Sequence, residues 1–525
     1  MSGGHGPPEG AAHGPVPEGL PAALAAWRQA LGTPHVRTDP GLLNRLSAAT
    51  YPTNVRVPAA LYPADVEQVR ECVAIASRNG VALHPVSTGK NWGYGSACPV
   101  GDGTVVMSLA RMDRILDYDE ELAYVTVEPG VTQQDLYAFL SRQGARLLPS
   151  VTGSTPDSSL IGNVLERGLG EGAYGDRFAH VCGMEAILGT GEIVRTGFSG
   201  FTHAPVRSPV GAVHRWGRGP WPDGLFTQSN LGVVTRMTLW LAPEPGALVP
   251  FSFRTEAGGP VLAAVVDAVR RLRMDRILDT GFVIANDVRE ISARQRSPWH
   301  GQSNREPMPA VLRGRLRARW DLGAWNGGGA LHAADDRHGA DLRRLVRARL
   351  EPHVSRLVFG AGAEATPLQR GEPTDAHLAM AYWRTRAPVP PRSPDLDADG
   401  CGLIWVCPVV PLLGRHVTAA VELIEEITAA HGFDANLSLN SVAERSAVIT
   451  AALAYDRSDA DEERRAMVCH DALHERTERA GYPSYRLSSR ARRSSCGMAA
   501  DGGLAAMLRR IKCALDPAGV ISPGR

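Results

Sequence analysis

Apolar and polar residues alternate in patterns that divide the start of the chain into distinct elements. Residues 20–50 have a helical pattern, and residues 64–79 have an amphipathic one that ends at Gly80. The short apolar run at 81–86 predicts a strand. The stretch STGKNWGYG at 87–95 follows it and is polar and rich in glycine. The pattern therefore predicts a helix, a strand and a loop in that order.

The alternation of short strands and helices continues through the first half of the chain. Thr132 is placed to cap a helix, and Gly189-Thr190-Gly191 separates two strand-like runs, as in a β-hairpin. A second polar loop, rich in glycine and serine, covers 149–163. The predicted strands are 104–109, 123–127, 145–148, 184–188, 192–196 and 232–241, and the predicted helix is 133–142.

The pattern changes after 242–250, where three prolines in nine residues predict a break between domains. Beyond it, helical and strand-like patterns alternate and predict an α+β domain of its own. The predicted helices are 261–273, 342–350, 415–431, 461–480 and 504–515, the strands are 403–410, 436–440 and 447–454, and loops are expected at 294–308 and 385–400.

Composition and charge exclude several classes of function. The 525 residues include 56 Lys and Arg against 55 Asp and Glu, without a long basic run, so we expect no nucleic-acid partner. Eight scattered cysteines without a CxxC pair favour free thiols in a reducing compartment. The polar stretch with His332, Asp335, Asp336 and His338 is interpreted as an exposed loop, and no metal site is predicted.

The N-terminal stretch predicts no membrane association. Residues 1–20 are dominated by Gly, Pro and Ala, and we expect a disordered tail without a signal peptide or an anchor. No window of the sequence reaches the roughly 20 apolar residues of a spanning helix. We therefore expect a cytoplasmic protein without a membrane partner.

The two polar loops are candidate anion-binding sites. Backbone N–H groups of a glycine-rich loop can converge on an anion, and Lys90 adds a positive charge to the first loop. In the second loop, Gly162 and Asn163 open a helical stretch, and a helix N-terminus favours an anion. The first loop lacks the lysine–serine/threonine end of a P-loop and the GxGxxG of a Rossmann turn. The loops alone therefore indicate an anion site and no specific ligand.

Seven stretches, in order from about residue 50 to the end of the chain, carry a resemblance to a known family. They are STGKNWGYG (87–95), YVTVEPGVT (124–132), SSLIGNVLERG (158–168), YGDRFAHVCGMEAILGTGEIVRTG (174–197), DGLFTQSNLGVVTRMTLWLAPEP (223–245), GLIWVCPVVP (402–411) and LDPAGVISPG (515–524). Together they resemble the vanillyl-alcohol oxidase / 4-cresol methylhydroxylase family of FAD-linked oxidoreductases.

The resemblance implies an α+β fold, with a two-part FAD-binding domain (PCMH-type) and a separate α+β substrate cap domain. We expect a disordered tail at 1–20, the FAD-binding domain at 21–245 and the cap domain at 246–481. The segment 482–525 is expected to return to the FAD-binding domain.

The resemblance also implies FAD as the cofactor. Its pyrophosphate needs backbone donors, which the two polar loops can supply from two sides. The stretches at 183–185 and 232–234 are expected beside the isoalloxazine ring and the adenosine half. The residues expected to bind FAD are Val86, Ser87, Thr88, Gly89, Lys90, Asn91, Trp92, Gly153, Ser154, Ser158, Ser159, Gly162, Asn163, Gly183, Glu185, Gly232, Val233 and Val234.

On the substrate side, the resemblance implies a tyrosine–tyrosine–arginine cluster that binds a phenol as its phenolate. The matching positions are Tyr94, Tyr485 and Arg486. Positive charge and hydrogen-bond donors beside a buried phenol lower its pKa. Hydride removal from the para carbon then becomes easier, because a neutral quinone methide results, and the flavin takes the hydride.

Three positions depart from the family pattern and argue for an altered substrate. Leu403 stands where a histidine or tyrosine often tethers the flavin, so we expect non-covalent FAD, with Cys401 as a substitute only if the strand slips. Ser154 stands where alcohol-oxidising members have an acid, and Asp157 is three residues away. Glu171 replaces a tyrosine, and a solvent-facing role is favoured over a base that faces the substrate.

The favoured hypothesis is an FAD-dependent oxidase or dehydrogenase for a para-substituted phenol, with oxygen or a redox protein as electron acceptor. One alternative is an oxidative tailoring enzyme of natural-product biosynthesis that acts on an amine, an alcohol or a lactone. Another is a flavin-binding protein without a redox role. The oligomeric state stays open, with a homodimer as one option.

Overall fold

The computed structural model describes residues 17–201, 208–302, 305–386, 393–493 and 502–525. Most of the disordered tail expected at 1–20 lies outside these residues, and the first helix begins at Leu20. The described helices are Leu20–Leu31, Pro40–Leu46, Val66–Asn79, Gln133–Gln143, Leu160–Leu165, Pro260–Met274, Asp287–Ser292, Ala310–Arg319, Asp336–Leu350, Gly414–Ala430, Ala460–Arg479, Ser489–Arg493 and Gly502–Leu515.

A small four-stranded sheet leads into the first polar loop. Helix Val66–Asn79 begins at Asp65, whose carboxylate accepts a hydrogen bond from the Gln68 amide, and ends at Gly80 in the left-handed conformation. The chain then enters a parallel strand and runs from its end directly into the loop at 87–95. The sheet order is Val36–Arg37, Ala60–Leu61, Val105–Ser108 and Leu83–Val86.

A five-stranded antiparallel sheet forms the other part of the domain that the resemblance predicts to bind FAD. Helix Gln133–Gln143 begins with a capping box, in which Thr132 and Asp135 each bind the other's backbone amide. The predicted hairpin around Gly189-Thr190-Gly191 is confirmed, because its two strands pair antiparallel. The sheet order is Ile115–Asp119, Tyr124–Val127, Val233–Trp240, Val181–Ile187 and Ile193–Arg195, and Leu147–Leu148 pairs separately with Ala242–Pro243.

The cap domain is built on an eight-stranded antiparallel sheet. Four helices, Pro260–Met274, Asp336–Leu350, Gly414–Ala430 and Ala460–Arg479, share a hydrophobic core with it. Seven strands lie in the order Arg356–Phe359, Ala247–Thr255, Trp325–Ala333, Phe282–Asn286, Asn436–Ser441, Ser446–Asp456 and Cys401–Val406, and Val409–Pro411 also pairs with Ser446–Asp456.

The two faces of this sheet have different surroundings, and side chains that alternate along a strand point to one or the other face. Leu437 and Leu439 belong to the hydrophobic core under the helices. Ser438 and Asn440, which alternate with them, line a cavity on the opposite face. The cap domain therefore presents polar side chains to that cavity while its apolar residues hold the helices.

Two interpretations of the sequence need correction. The break predicted at 242–250 is shorter, because strand Ala247–Thr255 begins inside it. The stretch around His332, interpreted as an exposed loop, instead contains the end of a strand and the start of a helix. His332 lies in strand Trp325–Ala333, and Asp335 is the N-cap of the following helix, where it accepts a hydrogen bond from the His338 amide.

The C-terminal segment returns to the N-terminal domain beside the first loop. The Leu83 amide donates to the Val520 carbonyl over 2.7 Å, and the Ser522 amide donates to the Leu83 carbonyl over 2.7 Å. In the part of the chain that is described, every helix is too short or too polar to cross a membrane.

Candidate active site

A cavity of about 760 Å³ lies between the two polar loops, the cap sheet and the C-terminal segment. It collects most of the residues that the sequence singled out for binding or catalysis. Those that line it are Val86, Ser87, Thr88, Gly89, Lys90, Asn91, Trp92, Tyr94, Gly153, Ser154, Ser158, Ser159, Gly162, Asn163, Glu171, Gly232, Val233, Val234, Leu403, Tyr485 and Arg486.

Gly183 and Glu185, which were expected beside the flavin, do not line this cavity. Glu185 is buried on strand Val181–Ile187, and its carboxylate pairs with Arg195 and Arg236. These ion pairs link strand Val181–Ile187 to its two neighbours in the sheet. The family motif is present at these positions, but here its side chains hold strands together.

The first loop offers a row of backbone donors to the cavity. In the described residues, the amides of Thr88, Gly89, Lys90 and Asn91 donate to no protein acceptor. Gly89 has φ +72°, a conformation that favours glycine and turns neighbouring N–H groups towards one side. Since unpaired backbone donors are rare in native proteins, this row is suited to an anionic ligand.

The second loop closes on the first one. The Ser159 amide donates to Thr88 Oγ1 over 3.3 Å. A Cβ atom at Gly162 would lie 3.2 Å from Ser87 Oγ, so glycine lets the short helix Leu160–Leu165 approach the first loop closely. Both loops therefore face one ligand-sized space, as the sequence predicted.

A buried carboxylate connects the cap domain with the first loop. Asp397 accepts hydrogen bonds from Trp92 Nε1 over 3.1 Å and from Ser96 Oγ over 2.8 Å. Burial raises the pKa of Asp397 to about 7, although these donors oppose the rise. The loop is thus held at both sides, by its strand and by the cap domain.

Tyr94, Tyr485 and Arg486 come together on the wall of the cavity. The Arg486 guanidinium carbon lies 4.1 Å from the centre of the Tyr94 ring. Burial raises the pKa of both tyrosines above the usual value, and the rise is larger for Tyr94. Both hydroxyls therefore remain protonated at neutral pH and act as hydrogen-bond donors.

Arg486 is fixed by two acceptors from the FAD-binding fold. Its Nε donates to Glu166 Oε2 over 3.1 Å, and its Nη2 donates to Asn91 Oδ1. Glu166 also pairs with Arg525, near the end of the C-terminal segment. Two guanidinium groups thus share one buried carboxylate, and a net positive charge remains beside Tyr94.

Glu171 lines the cavity and is half-buried. The solvent-facing role favoured from the sequence stays a prediction. Within the described residues, no side chain or amide donates to its carboxylate. Burial raises the pKa of Glu171 to about 7. A carboxyl group with this pKa can accept or release a proton at neutral pH.

Leu403 lines the cavity at the position expected for a flavin tether, and Cys401 does not line it. Cys401 is fully buried in a cluster with Tyr382 and Leu403, and burial raises the pKa of its thiol. Strand Cys401–Val406 pairs in regular register with Ser446–Asp456, so the strand has not slipped. Neither residue is placed to bond a flavin.

Several residues in the cavity wall or directly behind it escaped the sequence analysis. The Cys407 Sγ atom lies 3.0 Å from the Tyr94 hydroxyl. Trp405, Arg289 and His377 line the cavity from the cap domain. The alternation along GLIWVCP places Trp405 and Cys407 on the same face as Leu403, and this signal was available in the sequence. Nothing in the sequence around Arg289 or His377 distinguished these residues from surface positions.

Known proteins share both the sequence and this architecture. A family model described as an FAD binding domain matches residues 57–197. The 4-cresol dehydrogenase (hydroxylating) flavoprotein subunit of Pseudomonas putida is 29% identical, over 89% of this chain and 87% of that protein. A crystal structure of p-cresol methylhydroxylase with bound substrate superposes with a TM-score of 0.88 and 27% identity, over 97% of this chain and 96% of that one.

A further relative, the 1'-carboxy-chondrochloren decarboxylase of Chondromyces crocatus, is 43% identical over 96% of this chain and 97% of that protein. The chain belongs to the vanillyl-alcohol oxidase / 4-cresol methylhydroxylase family. As a member of this family it is an FAD-dependent oxidoreductase with the predicted two-part FAD-binding domain and cap domain.

FAD, the cofactor of this oxidoreductase, fits the residues that are present. The four unpaired amides at 88–91 match the need of a pyrophosphate for neutral backbone donors. The near-zero net charge of the chain agrees with binding through N–H groups in place of a basic surface. When bound, FAD supplies the acceptor for a hydride.

Proposed function

We propose that this protein removes a hydride from the benzylic carbon of a para-substituted phenol. The observation that carries the proposal is the meeting of Tyr94, Tyr485 and Arg486 at one place on the cavity wall. Two neutral hydroxyl donors and a guanidinium favour the ionised form of a phenol bound there. The anionic oxygen then releases electron density towards the para carbon, and a neutral quinone methide results.

The two polar loops are proposed to hold FAD. The amides at 88–91 would bind the pyrophosphate from one side, and Ser158, Ser159 and Gly162 would contribute from the other. We propose non-covalent binding, because Leu403 has no nucleophilic atom and Cys401 packs away from the cavity. A non-covalent flavin is a weaker oxidant in general, which favours easily oxidised substrates.

Glu171 is proposed to take up or release a proton on the substrate side. Its carboxyl group faces the cavity and has a pKa near neutrality, so both protonation states are accessible during turnover. Ser154 is uncharged, and its hydroxyl accepts a hydrogen bond from Ser158 over 2.9 Å. The electron acceptor that reoxidises the flavin is proposed to be oxygen or a redox protein.

A second candidate function is oxidative tailoring of a natural product, which the 43% identity to a decarboxylase favours. A substrate that carries a carboxylate on the carbon beside the benzylic one would lose a hydride in the same way. The bond to the carboxylate would then break in the quinone methide. Carbon dioxide leaves, and the electron pair of the broken bond forms an alkene and restores the phenolate.

The test begins with the absorbance spectrum of the purified protein, and of the supernatant after acid precipitation. We expect a flavin spectrum in both. Anaerobic mixing with 4-ethylphenol or 4-hydroxybenzyl alcohol should bleach the flavin. Bleaching by hydroxy acids but by no phenol would contradict the proposal, and carbon dioxide release from a carboxylated phenol would favour the second candidate.

A further inference from the structure

Arg289 brings a positive charge into the cavity that no described residue hydrogen-bonds or pairs with. It belongs to the short helix Asp287–Ser292 of the cap domain, and its guanidinium lines the cavity. Its Nη1 atom is shielded from solvent and has no hydrogen-bond partner in the described residues. Burial lowers the pKa of Arg289 to about 10, so it is still charged at neutral pH. A buried charge without an acceptor is costly, and a ligand that supplies the acceptor would relieve this cost.

The nearby acidic side chains are already engaged with other arginines. The carboxylate of Glu290 binds Arg294, and the carboxylate of Asp287 binds Arg313. His377 is close enough for the charge of Arg289 to act on it, and burial together with this charge lowers the pKa of His377. His377 is therefore neutral at pH 7 and adds no second positive charge beside Arg289.

The guanidinium of Arg289 is held in a defined orientation. Its central carbon lies 5.7 Å from the centre of the Trp405 ring. Trp405 is fixed in turn, because its Nε1 donates to the Trp92 carbonyl over 3.1 Å. A Cβ atom at Gly93 would lie 2.1 Å from the Trp405 ring, so this glycine makes room for it. The donor is thus pre-organised before a ligand arrives.

The position of Arg289 relates it to the phenol-binding cluster. Cys407 lies beside Tyr94, with its Sγ atom 3.0 Å from the hydroxyl. Burial raises the pKa of Cys407 to about 11, and the charges of both Arg486 and Arg289 oppose this rise. The two guanidinium groups therefore lie on the same cavity, within electrostatic reach of one thiol.

We propose that Arg289 binds a carboxylate on the side chain of the substrate. The inference rests on the proposed function for placing the phenol oxygen at Arg486. It adds that the substrate is a para-substituted phenol with a carboxylate on the group para to that oxygen. A planar guanidinium pairs with both oxygens of a carboxylate, which makes this the fitting anion. The name of the 43% identical relative, a 1'-carboxy compound decarboxylase, agrees with such a group.

The experiment compares two ligands of the same shape and different charge, 3-(4-hydroxyphenyl)propanoate and its primary amide. Each is titrated into the FAD-loaded protein, and binding is followed by calorimetry and by the change in flavin absorbance. The wild-type protein should bind the acid more tightly than the amide. In Arg289→Gln the affinity for the acid should fall about 10- to 100-fold, because a charge-assisted bond is lost. The affinity for the amide should change little.

Two further variants make the result specific. Arg289→Lys keeps the charge but loses the planar fork, and should retain part of the preference for the acid. The matched control is Arg344→Gln, on the exposed surface of helix Asp336–Leu350, which should behave like the wild type. An unchanged amide affinity in Arg289→Gln also shows that the cavity has kept its shape.

The proposal is overturned if Arg289→Gln weakens acid and amide equally, or weakens neither. This outcome differs from a failure of the proposed function. If the proposed function failed, no phenol would reduce the flavin, while calorimetry would still report whether binding of the acid depends on Arg289.

Discussion

The guanidinium carbon of Arg486 lies 4.1 Å from the centre of the Tyr94 ring, and the hydroxyl of that ring lies 3.0 Å from Cys407 Sγ. The three residues come from the C-terminal segment, the first polar loop and the link between two cap-domain strands. Each part of the chain thus contributes one group to the same place. A site of this kind exists only when both domains have packed together.

Replacing Arg486 by alanine should reduce the rate of anaerobic flavin reduction by a 4-alkylphenol about 100- to 1,000-fold. The reason is that the phenolate loses its positive charge while the two tyrosine hydroxyls remain. Because the bound phenol then has a higher pKa, the rate of the variant should recover as the pH rises. Stopped-flow measurements between pH 6 and 10 would show this. Equal rates for wild type and variant would exclude phenolate stabilisation by Arg486.

Tyr94→Phe removes one donor and leaves the packing of the ring on Arg486 intact. We expect a fall in the reduction rate of about tenfold, because one neutral hydrogen bond to the phenolate is lost. The variant should contain as much FAD as the wild type. If Tyr94→Phe contains less FAD but keeps the wild-type reduction rate, then Tyr94 belongs to the cofactor site.

Gly89→Ala should weaken FAD binding about tenfold or more, because alanine at φ +72° costs about 1–2 kcal/mol and turns the loop amides away. Its Cβ atom would also lie 3.1 Å from Ala97 Cβ. Gly80→Ala is the matched control, since Gly80 has φ +62°, caps a helix and has no neighbour within 4 Å. The free FAD concentration at half-saturation of the apoprotein measures the effect. Equal losses in both variants would mean that strain alone is responsible.

The raised pKa of Glu171 predicts that the free energy of unfolding depends on pH. Its folded pKa of about 7 lies above the ordinary value of a glutamate, so its contribution to stability is fully present below that ordinary value. This contribution is lost as the pH rises through 7. Glu171→Gln should therefore become more stable relative to the wild type between pH 5 and 8, by on the order of 1–3 kcal/mol. Thermal unfolding of both proteins at the two pH values is the measurement, and a difference that is independent of pH would show that Glu171 is ionised in the folded state.

Acid precipitation should release all FAD from the wild-type protein and from Cys401→Ser alike. Cys401 is buried against Tyr382 and does not line the cavity, so its removal leaves the cofactor untouched. A yellow precipitate from the wild type, and a colourless one from Cys401→Ser, would instead identify Cys401 as a tether. The extinction of the supernatant decides between the two outcomes.

The sequence predicted the elements around the two polar loops closely, because local signals determine them. Asp65, Thr132 and Gly80 mark helix ends through side-chain capping and left-handed geometry, and these effects act within one turn. The hairpin at 189–191 follows from turn chemistry in the same way. The resemblance supplied the cofactor and the residues of the cluster proposed to bind the phenol, which no local pattern indicates.

Long-range packing explains what the sequence analysis missed. Strand Trp325–Ala333 contains three consecutive glycines, which are rare in strands. A Cβ atom at Gly327 would lie 2.3 Å from the ring of Phe253 on the neighbouring strand, so glycine is needed there to admit the ring. Arg289 was missed for a related reason. That its Nη1 atom has no hydrogen-bond partner among the described residues is visible only when the cap domain has placed Arg289 inside the cavity.

The pairing of Leu83 with Val520 and Ser522 sets an order of events during biosynthesis. The strand that precedes the first loop acquires its second neighbour only from a segment that is synthesised hundreds of residues later. The loop cannot reach its final shape before that segment has left the ribosome. Nascent chains should therefore become competent to capture the flavin only once residues 520–522 have emerged, however early the N-terminal sheets have folded.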